Sequence, residues 1–363
     1  MNRMKKRSLL VLLMFSIPFL SSCSSFVIDD VLVVQGIGLD YTKDGKIRGT
    51  ALFPLFREST TEEPSTISVT TDNTYNILQK INEKSALRMV EGQTRILLFG
   101  KAYAKHNIEE IIHSFSRSPS LGRRVHVAVV DGKAETMLQA VTKKDVKESL
   151  YITDLIEQNI HTENLPYTNL HVFFSNYYGK GRDVFLPYLG GEKNEIKLKG
   201  LAIFDKERLV TTLNMKETFL FKLIRSGSKN GLYHTFIKAE GKKGAVVLRN
   251  LYARQSMTYS KKNNSIKVDV HINGLLKEYP AWVNAKDRKQ VHNIEDQIKN
   301  ELTKNGNRIV QDMQKLQVDP IGFEDFARSK TRHFDWKEFH SNYPDMDIKV
   351  NIDVKLTQTG IGE

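Results

Sequence analysis

The sequence predicts a mixed α/β (α+β) protein with two or more mixed-sheet domains, packed helices and a long C-terminal amphipathic helix covering a sheet. Three observations lead there. Short β-branched runs such as Arg95-Ile-Leu-Leu-Phe99 and Val125 to Val130 alternate with helical spacing in the first half. The second half is mostly alternating strands, and one apolar stripe, Val291, Ile294, Ile298, Leu302, Ile309, Met313 and Leu316, recurs at helical spacing on a charged segment. With 363 residues, 40% hydrophobic and 26% charged, the chain can bury two to three cores, which excludes disordered or collagen-like structure.

The N-terminus is read first. Arg3, Lys5, Lys6 and Arg7 precede an apolar run from Leu9 to Leu20, and Ser21 and Ser22 lead to Cys23, the one cysteine of the chain. This is the pattern of a secretory signal peptide over residues 1–22. A membrane span needs about 20 apolar residues, and Pro18 and the serines stop the run short. A single cysteine excludes an internal disulfide and zinc sites built on paired cysteines. The tetrapeptide Leu20-Ser21-Ser22-Cys23 resembles the lipobox of bacterial lipoproteins. That resemblance implies an S-diacylglycerol on the Cys23 thiol and an N-linked acyl chain such as palmitate. Two such chains give stable anchoring where one does not. The net charge of +12 falls to +8 once the four signal-peptide cations are removed, since no acidic residue precedes Cys23. Export removes nucleic acid as a partner, and the basic surface suits anionic headgroups and wall polyanions.

Along the body, Val31 to Asp40 reads as a buried strand, turning at Tyr41 to Lys46 into a second strand over Ile47 to Phe56. Ser59 to Thr74 is rich in Thr, Ser, Glu and Pro and reads as a connection. A helix is expected from about Thr74 to Val90 with Asn73 or Thr74 as its N-cap, then a strand at Arg95 to Phe99. Ile108, Ile111, Ile112 and Phe115 give a helix ending before Ser118-Pro119, and Val125 to Val130 a strand. Asp131-Gly132 then turns into a helix over Ala134 to Val141. Gly179 to Lys193 is rich in Gly, Lys and Asp, so a boundary is placed there, separating domains at 23–190 and 195–363.

Beyond it, Ile196 to Phe204 and Leu209 to Leu213 form a hairpin, Lys216 to Arg225 a helix, and Tyr233 to Ala239, Gly244 to Tyr259 and Ser265 to Leu276 three strands. The long helix runs from about Ala285 to Leu316. Its stripe breaks at Asn305 and Gly306, which favours a helix packed on the C-terminal sheet over a coiled coil. Asp319-Pro320 ends it, and Asp347 to Thr357 alternates as a final half-buried strand.

No catalytic residue, cofactor site or metal site is predicted. The chain lacks a Gly-x-Ser-x-Gly elbow, a phosphate loop and a His-Glu-x-x-His motif. Gly36-Ile-Gly38 lies inside a strand and is discounted as a dinucleotide signal. His106, Glu109 and His113 could share a helix face, yet a metal site needs three or four supported ligands. His333, Asp335 and His340 flank Trp336 and read as packing of Trp336 and Phe339 on the body. Glu62-Glu63 and Asp29-Asp30 lie in turns or at the tether, without an apolar pocket to separate their pKa values.

The C-terminal order Asp319-Pro-Ile-Gly-Phe-Glu-Asp-Phe-Ala-Arg328, Phe334-Asp-Trp-Lys337, Tyr343-Pro-Asp345 and Thr359-Gly360 resembles the Ger(x)C family, the C-subunit lipoproteins of spore-germination receptors. Gly36-Ile-Gly-Leu-Asp40, Arg117-Ser-Pro119 with Gly132-Lys-Ala134, and Lys199-Gly-Leu-Ala-Ile-Phe204 with Leu209-Val210 agree. Two departures are Ser24-Ser25 where members commonly carry Trp-Asp, and Gly92-Gln93 where they carry Gly-His. The resemblance implies a non-enzymatic subunit on the outer face of the spore inner membrane. There it would work in assembly or signal transmission with two integral membrane subunits, one permease-like and one multi-span. The competing class, a solute-binding lipoprotein of a transporter, expects two similar lobes of repeated βα units.

Overall fold

The computed structural model describes residues 31–56, 62–118, 120–142, 150–191, 195–239 and 241–359. Leu20, Ser21, Ser22, Cys23, Asp29 and Asp30 lie outside the described residues. The first half contains β1 (Val31–Val33), β2 (Gly36–Tyr41), β3 (Ile47–Phe56) and β4 (Glu62–Thr71). After these come a 3-10 turn (Thr74–Asn76), α1 (Ile77–Asn82), β5 (Arg88–Val90), β6 (Ile96–Gly100), α2 (Lys101–His106) and α3 (Glu109–Arg117). Then follow β7 (His126–Val130), α4 (Ala134–Thr142), α5 (Tyr151–His161), α6 (Leu170–Tyr178) and β8 (Phe185–Gly190). The second half adds β9 (Lys197–Asp205), β10 (Arg208–Asn214), α7 (Met215–Ser226), β11 (Leu232–Ala239), β12 (Lys242–Ser260), β13 (Ser265–Glu278), α8 (Arg288–Lys315), α9 (Phe323–Ser329), α10 (Trp336–Asn342) and β14 (Asp347–Thr359). The architecture is mixed α/β, as predicted.

The main sheet has eight strands in the order β10-β9-β8-β7-β6-β2-β3-β4, with a parallel centre (β8-β7-β6-β2) and antiparallel flanks. Its central strands are buried on both faces, which is why they read as continuous apolar runs. Alternate residues feed two cores: Leu97, Phe99, Val127 and Val129 face one, while Ile96, Leu98, Ala128 and Val130 face the other. Gly36 and Gly38 serve this packing, because a Cβ on Gly38 would lie 2.9 Å from Leu138 and 3.1 Å from Ala134 of α4.

The second core passes under α7 into a four-stranded sheet, β11-β12-β13-β14, in which β13 and β14 are parallel across the α8 crossover. On α7 the residues Phe219, Leu220, Phe221, Leu223 and Ile224 are all buried, with Lys222 among them paired to Glu163, so the middle of the helix is enclosed and lies between layers. Asn214 and Glu217 close its start as a capping box.

Helix α8 does what its stripe predicts and more. Ile294, Ile298, Leu302, Ile309 and Met313 are buried, while Val291 is half-buried and Leu316 is exposed. The apparent break at Gly306 is a close approach: a Cβ there would be 3.2 Å from Val350 and 3.5 Å from Ile224. Along one flank, side chains four residues apart meet β14. Asn307 bonds both N and O of Val350 (2.9 and 2.7 Å), Thr303 bonds both of Ile352, Lys299 pairs with Asp353, and Glu295 accepts from the Leu356 amide. On another flank, Gln297 bonds both N and O of Lys238 in β11, each at 2.8 Å. One helix therefore satisfies backbone groups on both edge strands of the sheet.

Several expectations are corrected. The helix expected over Thr74 to Val90 stops at Asn82, because Asn82 Oδ1 takes the Met89 amide and residues 88–90 instead pair with β1. The strand expected over Val31 to Asp40 is split into β1 and β2. The polar stretch Ser59 to Thr74 contains edge strand β4, whose Ile67 and Val69 pair opposite Ala51 and Gly49. Helices α2, α5 and α6 were not expected. The Gly-rich boundary stretch contains β8, a central strand, and β8 pairs with β9 so that the large sheet continues from residue 190 to 197.

Candidate functional site

The densest chemistry among the described residues lies where the segment entering β8 meets the segment leaving α8. Asp183 and Asp319 pair through their backbones and one side chain: the Asp183 amide donates to Asp319 O at 3.0 Å, and the Asp319 amide donates to Asp183 Oδ2 at 2.6 Å. Asp319 is buried, and its two carboxylate oxygens accept from the amides of Gly322 and Glu324, each at 2.8 Å. This arrangement caps α9. Gly322 starts that helix at φ 93°, the left-handed region suited to glycine.

Neighbouring residues tighten the contact. Arg182 pairs with Asp325, which Arg328 also binds at 2.8 Å, and the Asp325 amide donates to Gly181 O. Gly181 sits at φ 79°, and a Cβ on it would meet Asp325 N and Trp336 at 2.9 Å. Arg225 of α7 donates to the carbonyls of Pro320 and Ile321, the latter at 3.1 Å. Tyr343 donates to Val318 O at 3.0 Å, and Phe339 packs between Phe334 and Tyr343.

A cavity of about 360 Å³ opens here, lined by Asn176, Asp183, Asp205, Asp319, Glu324 and His340. Burial pushes the Asp183 carboxyl up to about 7 and the Glu324 carboxyl up to about 7, with the neighbouring carboxylates adding to both shifts. It raises Asp319 too, against the helix-cap bonds that favour its charge. Burial likewise brings Arg225 down to about 10, with Arg182 pushing the same way. Such a cluster can hold protons near neutrality. Sequence reasoning missed it because Asp183 lies in the stretch read as a boundary. The signal that could have found it is the Asp319 to Arg328 run, whose residues make the contact.

The predicted candidates fall elsewhere. His106 lies against the Tyr41 ring at 4.4 Å, on α2; Asn107, extended, then breaks the chain before Glu109 and His113 on α3. The three therefore do not share a helix face, and Glu109 and His113 remain an exposed pair at 3.6 Å. Asp335 caps α10 through the amides of Lys337 and Glu338, His333 is exposed, and only His340 reaches the cavity. Trp336 packs edge-on against Phe334 at 5.1 Å. Glu62 and Glu63 open β4. Among the described residues no group of three or more His, Cys, Asp or Glu side chains is arranged to hold a metal ion.

The opposite end of the large sheet is closed by its own charges. Asp131, after β7, is bound by Lys101 at 2.8 Å and Lys199 at 2.5 Å, which hold its carboxyl well below the usual range. Asp40 caps α4 through the amides of Ala134 and Glu135. The parallel strands run β2, β6, β7, β8 in one direction, without the reversal of order that opens a ligand crevice in doubly wound sheets.

Comparison with known proteins matches two segments of the chain. Residues 25–190 match the spore germination protein N-terminal domain, and residues 199–360 match the domain described as spore germination B3/GerAC like, C-terminal. The chain belongs to the Ger(x)C family of spore-germination proteins. Members of this family are C subunits of germinant receptors, and this chain is one of them. It is 26% identical to the spore germination protein GerQC of Bacillus cereus over 356 residues, covering 98% of this chain and 99% of that one. It is 21% identical to the Bacillus subtilis (strain 168) protein YfkR over 280 residues, 74% of this chain and 71% of the relative. The crystal structure of the GerBC protein shares the fold, with a TM-score of 0.59 at 16% identity over 89% of this chain and 97% of that chain. No helix among the described residues is long and apolar enough to cross a membrane.

Proposed function

We propose that this Ger(x)C protein is a lipid-anchored, non-enzymatic C subunit, held by Cys23 on the extracytoplasmic face of the spore inner membrane. There it supports assembly or signal transmission with a permease-like and a multi-span membrane subunit. The observation that carries the reading is position: the family segment begins at residue 25, directly after the lipobox cysteine. About eight residues link Cys23 to β1, so the tether reaches at most about 26 Å and holds the body near the bilayer.

The two family segments are read as two modules, 23–190 and 195–363, that share one sheet and lock at the Asp183–Asp319 contact. A solute-binding lipoprotein is disfavoured by the same architecture, since the chain has one continuous eight-stranded sheet and a dissimilar second sheet instead of two like lobes. A receptor role needs no catalytic group, and the buried carboxylates serve here as the joint between modules.

Replacing the thiol tests the anchor. In cells fed a labelled fatty acid, the Cys23→Ala protein is expected to take up no label and to remain unprocessed. Acylation of that variant at the wild-type level would overturn the anchor.

A further inference from the structure

The tether enters the fold at one end of the large sheet, where β2, β6 and β7 all begin. The contacts that define this end are explicit: Arg95 N donates to Gln35 O, His126 N donates to Arg95 O, and His171 N donates to Arg123 O. β1, the first described strand, pairs with β5 beside it, placing Val31 opposite Arg88. Arg95, Arg117, Arg123 and Arg124 are all exposed on the loops and helix end gathered there.

Acidic groups also lie at this end, and two of them are engaged by neighbours. Glu91 accepts from the hydroxyls of Ser118 and Ser120, and Glu157 pairs with His126 at 3.2 Å. Arg123 lies over the Phe174 ring at 5.3 Å, and exposed Leu87 directly precedes β5. Gly92 and Gly122, in the two loops, have open space beside them, so a flat surface can approach the backbone. Exposed cations gathered where the tether enters the fold suit attraction to anionic headgroups. The outer face of the four-stranded sheet, by contrast, mixes Lys267, Asp269, Lys349, Asp353 and Lys355, with the acids paired to cations.

We infer that the end of the large sheet carrying Arg95, Arg117, Arg123 and Arg124 is a docking surface for anionic phospholipid headgroups. It would fix the orientation of the body on the bilayer to which the tether holds it. The inference deepens the anchored reading and rests on it for the lipid's proximity, but its test is separable.

The full-length processed protein is mixed with vesicles of phosphatidylcholine alone, and with vesicles containing about one third phosphatidylglycerol. Flotation with phosphatidylcholine vesicles reads the anchor only. Backbone hydrogen exchange at residues 91–95 and 120–125, followed on the phosphatidylglycerol vesicles, reads the face whether or not the first arm floats. Exchange there is expected to slow at least about fivefold relative to phosphatidylcholine, and to recover in molar salt, where the screening length is about 3 Å. The Arg95→Glu/Arg123→Glu/Arg124→Glu protein is expected to lose this protection, with an unchanged melting curve because the three side chains are exposed. A Lys349→Glu/Lys355→Glu control is expected to keep it. Equal exchange on the two vesicles, protection retained by the triple variant, or protection confined to the four-stranded sheet overturns the face. Protection arising only when the receptor's membrane subunits are reconstituted alongside would assign the surface to a protein partner, and would also overturn it.

Discussion

Asp183 and Asp319 join the two halves, and burial raises both carboxyls above the usual carboxylate range. The folded values of Asp183 and Glu324, about 7, lie above the unfolded range of about 4. The folded chain therefore binds more protons than the unfolded chain between these limits. The contribution of this pair to stability is present at low pH and is lost as pH rises through about 7. Urea midpoints are thus expected to fall between about pH 5 and about pH 8 from these groups. Asp183→Asn keeps an acceptor for the Asp319 amide but cannot ionise, so it should be more stable than wild type at pH 8 and show a shallower pH slope. A slope equal to wild type would remove Asp183 from the titrating set; Glu324 keeps a residual slope because the carboxyls titrate as a group. The Asp319 to Arg328 run marks one side of this site, but nothing local marks Asp183 as its partner. The two aspartates are 136 residues apart in the chain and become a pair only when the Gly181 turn seats on α9.

Elements with their own periodicity were legible. β3, the β9–β10 hairpin, α7, α8 and β14 lie within a few residues of their expected positions, because each buries one regular face or a continuous run. Elements defined by tertiary contact were not: β4 is polar yet completes an edge, and α1 ends where a neighbouring strand captures its expected last turns. Sequence periodicity also says nothing of the polar flank of α8, where side chains substitute for a missing strand. Asn307→Leu removes both bonds to Val350 and leaves an amide and a carbonyl unsatisfied. The expected cost is about 1–3 kcal/mol in chemical denaturation, whereas Lys304→Leu at an exposed position should be close to neutral. A neutral Asn307→Leu would mean that water replaces the lost bonds and that the edge is not sealed by the helix.

At the scale of the molecule, the family pattern divides where the fold does not. β8 belongs to the first segment and β9 and β10 to the second, yet they are neighbours in one sheet. Residues 31–190 made alone should therefore present a normally buried, unpaired β8 edge and aggregate, as size-exclusion chromatography would show. Supplying residues 191–363 in the same cell should recover soluble material. A monodisperse first half would show instead that it can cover this edge unaided. The overall class was readable because both halves keep their apolar patterns. Their union was not, because a Gly-Gly pair reads the same whether it separates domains or turns one strand into the next.

The zip of α8 onto β14 also bears on how much of the chain must arrive before any of it is finished. β14 begins at Asp347, so until nearly the whole chain has been delivered, Glu295, Lys299, Thr303 and Asn307 face no strand and the parallel edge of β13 stays open. A product cut just before Asp347 keeps most of its residues. It lacks the one strand that seals the second sheet. Such a product is expected to open to a protease at the β13 edge while the large sheet stays paired.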